Sequence, residues 1–348
     1  MTISVFIVED SPIALQVLTN IITSAPDLKI AGTATNGKEA LAEIPKVKPD
    51  VICTDFYMKG MDGLELIQQV MAHFPRPILV ISVAVGVGNE QNVFSLLQAG
   101  AIDVLPKPQT GLMEDYNCKE IVEKIRILAG VKVFTRPLRP SITTVNQPPA
   151  NFPPRTSTSP VQIVALGAST GGPQAVYKIC RLLAKDFPVP ILCTQHISPG
   201  FLPDLVSWMD RECALKVKIA EHGEELAPAT VYYAPDGCNL EVDRRHRIYL
   251  SPPDQNEVHC PSVNVMFRSI AWHYGSSSLA VLLTGMGEDG AKGLESIFLA
   301  GGITIAQNEN SCVVFGMPKA AIDLGVVQHV LGIEQIGAFI RAQCVDLI

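Results

Sequence analysis

Short apolar runs alternate with amphipathic stretches through both ends of this chain, and the alternation breaks only between about residues 135 and 160. In the first part the apolar runs lie at 4–8, 29–33, 51–54, 78–81 and 103–105. The amphipathic stretches lie at 12–24, 37–44, 63–74, 91–98 and 117–128. Five strands separated by helices pair in parallel, because each helix carries the chain back across the sheet. Right-handed crossovers then put helices on both faces, which predicts a doubly wound α/β domain.

The break is rich in proline, with Pro137, Pro140, Pro148, Pro149, Pro153, Pro154 and Pro160 set among Ser, Thr and Asn. Such a segment has too little apolar surface to fold and reads as a stiff, partly extended linker, expected over 126–160. The remainder predicts strands at 162–166, 190–194, 279–283 and 302–306, with helices at 173–183, 202–209, 263–274 and 292–299. Three short runs at 231–234, 240–242 and 247–250 read as a hairpin-linked meander inserted into a second, mainly parallel α/β domain. The expected domains are therefore 1–125 and 161–348.

The 348 residues suffice for two domains with substantial cores. A net charge of -7 argues against a nucleic-acid partner. No apolar run approaches a membrane span. The first residues carry no basic segment and no small-residue cleavage site, which leads to the expectation of a cytoplasmic protein. Nine cysteines without C-x-x-C spacing fit reduced thiols, and seven histidines show no metal-ligand spacing.

In an open parallel sheet, ligand-serving groups gather beyond the carboxyl ends of the strands. Glu9 and Asp10 end the first strand, Asp55 the third and Ser82 the fourth, and Lys107 follows the fifth. Clustered carboxylates repel unless a cation such as Mg²⁺ with oxygen ligands relieves them. The same charge would neutralise an incoming phosphoryl group. Taken singly, Asp10 or Asp55 reads equally well as a helix N-cap. With Lys107-Pro108 and Met61-Asp62-Gly63, residues 1 to about 125 resemble the receiver domain of two-component response regulators. The resemblance implies a flavodoxin-like fold of five parallel strands. It also implies Asp55 as phospho-acceptor, Glu9, Asp10 and Asp55 as Mg²⁺ ligands, Ser82 as switch hydroxyl and Lys107 as phosphate partner, with a histidine kinase as donor. Three positions depart from that pattern: Lys59 replaces a usual proline, Val83 a small residue and Val104 an aromatic ring.

Gly167-Ala168-Ser169-Thr170-Gly171-Gly172 follows a strand and opens a helix. That context suits an exposed serine nucleophile whose helix N-terminus offers N–H groups to an oxyanion. A glycine-rich turn of this kind also suits a pyrophosphate, although Ser169 stands where the dinucleotide fingerprint needs its second glycine. Serine needs a base, and His196 ends the next strand. Asp289, in a glycine-rich loop after a later strand, is placed to orient the imidazole.

The strings GASTGG at 167–172, TQH at 194–196, PSVNV at 261–265, LTGMGEDG at 283–290 and AQNENSCVVFGMP at 306–318 resemble the catalytic domain of the CheB protein-glutamate methylesterases. The resemblance implies Ser169 as nucleophile, His196 as base and acid, Asp289 as orienting acid, and Thr170 and Met286 beside the oxyanion hole. Asn264 stands where an aspartate is common. It implies hydrolysis of methyl-glutamyl esters, and deamidation of glutamines, on methyl-accepting chemoreceptors, with no cofactor for the ester step. Contact with membrane receptor arrays would be peripheral. The domain order leads to the expectation that an unphosphorylated receiver restrains the esterase. The absence of coiled-coil heptads points to a monomer. Two alternatives stay open here: a C-terminal domain that only docks, and the same chemistry on a receptor-like array outside motility.

Overall fold

The computed structural model describes residues 2–83, 94–108, 116–135, 159–253 and 255–345. The chain separates into two compact units, Met1–Thr144 and Val145–Ile348. Most of the expected linker, 136–158, lies outside the described residues, as do 91–93 of the expected fourth helix.

The first unit runs β1 (Ile3–Val8), α1 (Pro12–Ser24), β2 (Leu28–Ala34), α2 (Gly37–Val47), β3 (Val51–Thr54), α3 (Gly63–His73), β4 (Ile78–Ser82), α4 (Ser95–Ala99), β5 (Asp103–Pro106) and α5 (Tyr116–Leu128). The strands form one parallel sheet in the order β2-β1-β3-β4-β5. β3 and β4 are buried along their whole length, as apolar runs covered on both faces must be. The helix starts are written locally. Ser11, Asn36 and Asp62 cap α1, α2 and α3 by accepting from Ala14 N, Glu39 N and Glu65 N. Asp10 and Asp55 are therefore not caps, and both remain free to serve the sheet edge.

The second unit runs β6 (Ile163–Ala168), α6 (Gly172–Cys180), β7 (Ile191–Gln195), α7 (Leu202–Glu212), β8 (Lys216–Ile219), β9 (Thr230–Tyr233), β10 (Asn239–Val242), β11 (Ile248–Ser251), α8 (Val263–Tyr274), β12 (Ser278–Leu282), α9 (Ala291–Leu299), β13 (Ile303–Gln307), α10 (Met317–Asp323), β14 (His329–Leu331) and α11 (Ile333–Val345). Seven strands pair in parallel in the order β14-β13-β12-β6-β7-β9-β8. The chain leaves central β6 to one side for β7 and later returns to the other for β12. That reversal makes β6 the switch point at which parallel sheets open a crevice.

The expected meander divides. β9 is buried at every residue, so it needs cover on both faces and joins the main sheet in parallel. β10 and β11 form a separate antiparallel hairpin. Its Leu240, Val242 and Ile248 pack on Met266, Phe267 and Ile270 of α8, in the core cluster beneath β6 and β12. The insertion is thus one hairpin.

Candidate functional site

Ser169, His196 and Asp289 follow the ends of β6, β7 and β12, three neighbours in the sheet. Register pairs Ala168 with Gln195, and the His196 N–H donates to Ala168 O at 2.9 Å. The Gln195 amide then ties the two chemistry-bearing residues together. Its Nε2 donates to Ser169 O and to His196 O, each at 2.8 Å. The turn into α6 accommodates this only without side chains. Gly171 has φ +77°, and a Cβ on Gly172 would stand 2.1 Å from Gln195 Oε1.

The His196–Asp289 pair is closed, at 2.8 Å between Nε2 and Oδ2. Asp289 also accepts from Val263 N at 2.8 Å, Asn264 N at 3.0 Å and Ser262 Oγ at 3.0 Å, all at the start of α8. Burial alone would raise its pKa. The His196 bond and charge and the two backbone donors outweigh burial and hold the carboxyl down at about 2. An ionised carboxylate only accepts, so His196 Nε2 carries the hydrogen and Nδ1 keeps the lone pair. The remaining basic position of the ring is therefore Nδ1. Ser169 Oγ makes no hydrogen bond among the described residues, and a base commonly closes on its nucleophile only when substrate is seated.

Asn264 carries more than its sequence signal suggested. Its Oδ1 accepts from Gly290 N at 3.0 Å and Gly293 N at 2.8 Å, pinning the loop that holds Asp289 to the start of α9. Ser262 is a second contributor that residue type alone did not reveal. It caps α8 through Val265 N while its hydroxyl donates to Asp289.

Met286 is 46% exposed at the tip of the loop after β12, and its N–H makes no hydrogen bond among the described residues. The loop is shaped from behind by the 306–318 string. Thr284 N donates to Gln307 Oε1 at 2.9 Å, Gly285 N to Val314 O at 3.1 Å, and Met317 N to Gly285 O at 2.9 Å. Thr170 is buried, and its carbonyl accepts from Thr284 Oγ1 at 2.9 Å, so it braces the same loop. A serine, a base with an ionised partner and a free backbone N–H at one crevice suit acyl transfer through a tetrahedral intermediate.

In the first unit Lys107 Nζ donates to Asp55 Oδ2 at 2.6 Å and contacts both carboxylate oxygens of Glu9, the nearer at 2.8 Å. Glu9 is raised above the usual carboxylate range by burial, with repulsion from Asp55 adding to it. Burial opposes the Lys107 charge, but its hydrogen bonds to Asp55 and Glu9 outweigh burial and hold the lysine pKa above its ordinary value. Glu9, Asp10 and Asp55 each bring one ligand oxygen within 4.8 Å of the others. Hard oxygen donors in surplus over one cation are the set Mg²⁺ takes. The Ser82 hydroxyl is fully buried with no hydrogen-bond partner among the described residues, a donor ready for an anionic oxygen. Of the departures, Lys59 and Val83 are exposed and Val104 is buried in β5. All nine cysteines are thiols, and burial pushes Cys53 and Cys193 up to about 12.

Residues 5–115 match the response regulator receiver domain family, and residues 164–340 match the CheB methylesterase family. A protein-glutamate methylesterase/protein-glutamine glutaminase of Hahella chejuensis is 39% identical over 340 residues, 97% of each chain. The chain belongs to the CheB methylesterase family. Another relative of the same description, from Salmonella typhimurium, is 37% identical over 96% of this chain and 95% of its own. The solved CheB methylesterase catalytic domain of Thermotoga maritima is 38% identical, with a TM-score of 0.51, covering 52% of this chain and 98% of that one. Among the described residues, no helix is long and apolar enough to cross a membrane.

Proposed function

We propose that this protein is a protein-glutamate methylesterase and protein-glutamine glutaminase acting on methyl-accepting chemoreceptors, gated by phosphorylation of Asp55. The observation that carries the reading is the ionised Asp289 closed on His196 Nε2, one strand from Ser169. Ser169 Oγ attacks the ester carbonyl of a methylated glutamate while His196 Nδ1 takes its proton. Asp289 offsets the imidazolium. The Met286 N–H, with Thr170 bracing its loop, faces the developing oxyanion, where one such donor lowers the barrier by about 3–4 kcal/mol. His196 returns the proton to departing methanol, and water, activated by the same nitrogen, releases glutamate. With glutamine the leaving group is ammonia.

In the receiver, the Asp55 carboxylate accepts the phosphoryl group. Lys107 supplies a fixed positive charge and Ser82 a hydroxyl to its oxygens. Glu9, Asp10 and Asp55 would hold Mg²⁺, which when bound supplies positive charge toward the phosphoryl oxygens. A histidine kinase is the class of donor that fits a receiver. Phosphorylation replaces the Asp55 carboxylate by an acyl phosphate of charge about -2, a net gain of about -1 that biases the receiver surface.

Methanol release from methylated receptor membranes tests both halves. The wild type releases methanol faster with Mg²⁺ and a small acyl-phosphate donor. Asp55→Asn keeps the basal rate and loses the response. Release that ignores the donor in the wild type overturns the gating, and no release from any receptor overturns the esterase.

The loop geometry adds a prediction. A Cβ on Gly285 would stand 2.3 Å from Met317 Sδ and 2.7 Å from Ser169 Cβ. Gly285→Ala displaces the nucleophile and lowers kcat about 10²-fold, because a shift near 1 Å costs that much. Steady-state kinetics of methanol release checks it, and a KM effect alone would contradict it.

A further inference from the structure

The imidazole of His259 lies flat over that of His196, with ring centroids 4.3 Å apart and planes inclined by 24°. His259 sits in the segment leading into α8, the helix whose start holds Asp289. Its own residue is exposed, whereas the His196 side chain is only 13% exposed and that of Asp289 5%. One face of His259 thus meets solvent and the other covers the base. From the geometry we infer that His259 is a positioning residue: its ring caps His196, keeps water off the His196–Asp289 pair and holds Nε2 on Asp289 so that Nδ1 stays free. The inference rests on the esterase reading for its kinetic consequence, but not for its structural one.

The physics has two parts. A planar ring on one face restricts rotation of His196 about its terminal torsion, which is otherwise broad. Exclusion of water also strengthens the pair electrostatically. The second part concerns charge. His196 faces His259 directly, and the charges of Asp289 and Glu257 lie close enough to act on it. Burial of the inner face, then repulsion from His196, lower the His259 pKa, while Asp289 and Glu257 act the other way. Glu257 is itself engaged, with Arg268 Nη1 at 2.7 Å. His259 is therefore neutral near pH 7 and does not oppose the imidazolium that forms during catalysis. Below its pKa, a cation at 4.3 Å opposes it.

Two variants separate stacking from titration. His259→Ala loses the cover, and kcat falls about 10- to 100-fold with KM within threefold. His259→Phe keeps a flat ring without a titrating nitrogen. It restores kcat at pH 8 to within about threefold, and the acid limb of its kcat/KM profile loses the steepness that a titrating His259 adds in the wild type. Both substitutions are at an exposed residue, and thermal melts within a few degrees of the wild type check folding. A direct readout needs no substrate. Nitrogen-15 histidine spectra at pH 8 show His196 as a single Nε2–H tautomer in the wild type and the Phe variant, and as a mixture in the Ala variant. Four results overturn the inference: unchanged kcat in His259→Ala, a Phe variant as impaired as Ala, an unaltered acid slope in Phe, or an unchanged tautomer in Ala. If the wild type itself releases no methanol, the esterase reading fails and the tautomer measurement still decides this inference.

Discussion

Ser169→Ala loses at least about 10⁴-fold in kcat for methanol release while its melting temperature stays within about 2 °C of the wild type. The asymmetry follows from what the side chain does. Ser169 Oγ makes no hydrogen bond among the described residues, so its removal leaves no orphaned partner. The Cβ, which faces the Gly285 backbone, is retained in alanine. The residue is held through its backbone, by Thr284 O on its N–H and by Gly172 N and Gln195 Nε2 on its carbonyl. None of these changes. Activity remaining within tenfold would mean that water, not serine, attacks the ester, and would remove the acyl-enzyme from the mechanism. Binding of methylated receptor should persist, which distinguishes a dead enzyme from a domain that only docks.

Asp289→Asn is the second large effect, and unlike the first it costs stability as well. The carboxylate accepts from His196, Val263 N, Asn264 N and Ser262 Oγ. An amide has one acceptor oxygen, so its NH₂ must face donors or rotate away. His196 then loses the acceptor that sets its tautomer, and kcat is expected to fall about 10³- to 10⁴-fold. The stability term has a definite sign. The folded carboxyl sits at about 2 against an ordinary 3.8, so its contribution is fully present above pH 4 and is lost as pH falls through about 2. The shift corresponds to about 2 kcal/mol at neutral pH, of the order set by 1.4 kcal/mol per unit. Urea titration at pH 7 and pH 3 checks it: the gap between wild type and variant should narrow at the lower pH. A gap equal at both would mean that repacking, not charge, accounts for the loss.

The acid cluster of the receiver and the triad differ in how much of them local sequence carries. Asp55, Lys107 and Ser82 are each placed by the strand they end, and strand ends are visible as apolar runs that stop at a polar residue. The parallel architecture of both units was legible for the same reason, since alternation with helices forbids hairpins. The Ser169–His196 neighbourhood follows equally, because consecutive strands β6 and β7 pair. Other elements carried too weak a signal. β8 is a four-residue edge strand with exposed Lys216, and β14 has three residues, so neither presents a buried period long enough to read. The runs at 231–234, 240–242 and 247–250 read alike because a short apolar run does not declare its partner, and only burial of β9 on both faces sends it to the main sheet.

What the residues determine by themselves is the inventory and its rough placement: two α/β units, an acid-and-lysine edge on one, and a serine, histidine and aspartate at strand ends on the other. What only the tertiary structure decides is how those groups are held. The Asp289 carboxyl is held down by His196, 93 residues away in sequence, and by backbone donors at the start of α8, some 25 residues away. Met286 N–H makes no hydrogen bond among the described residues, while the 306–318 segment engages its neighbours Thr284 and Gly285. His259 covers His196 across more than 60 residues of chain. Hydrogen-bond donors and ring faces act over a few ångströms, and local sequence pattern does not encode which distant segment arrives within that range.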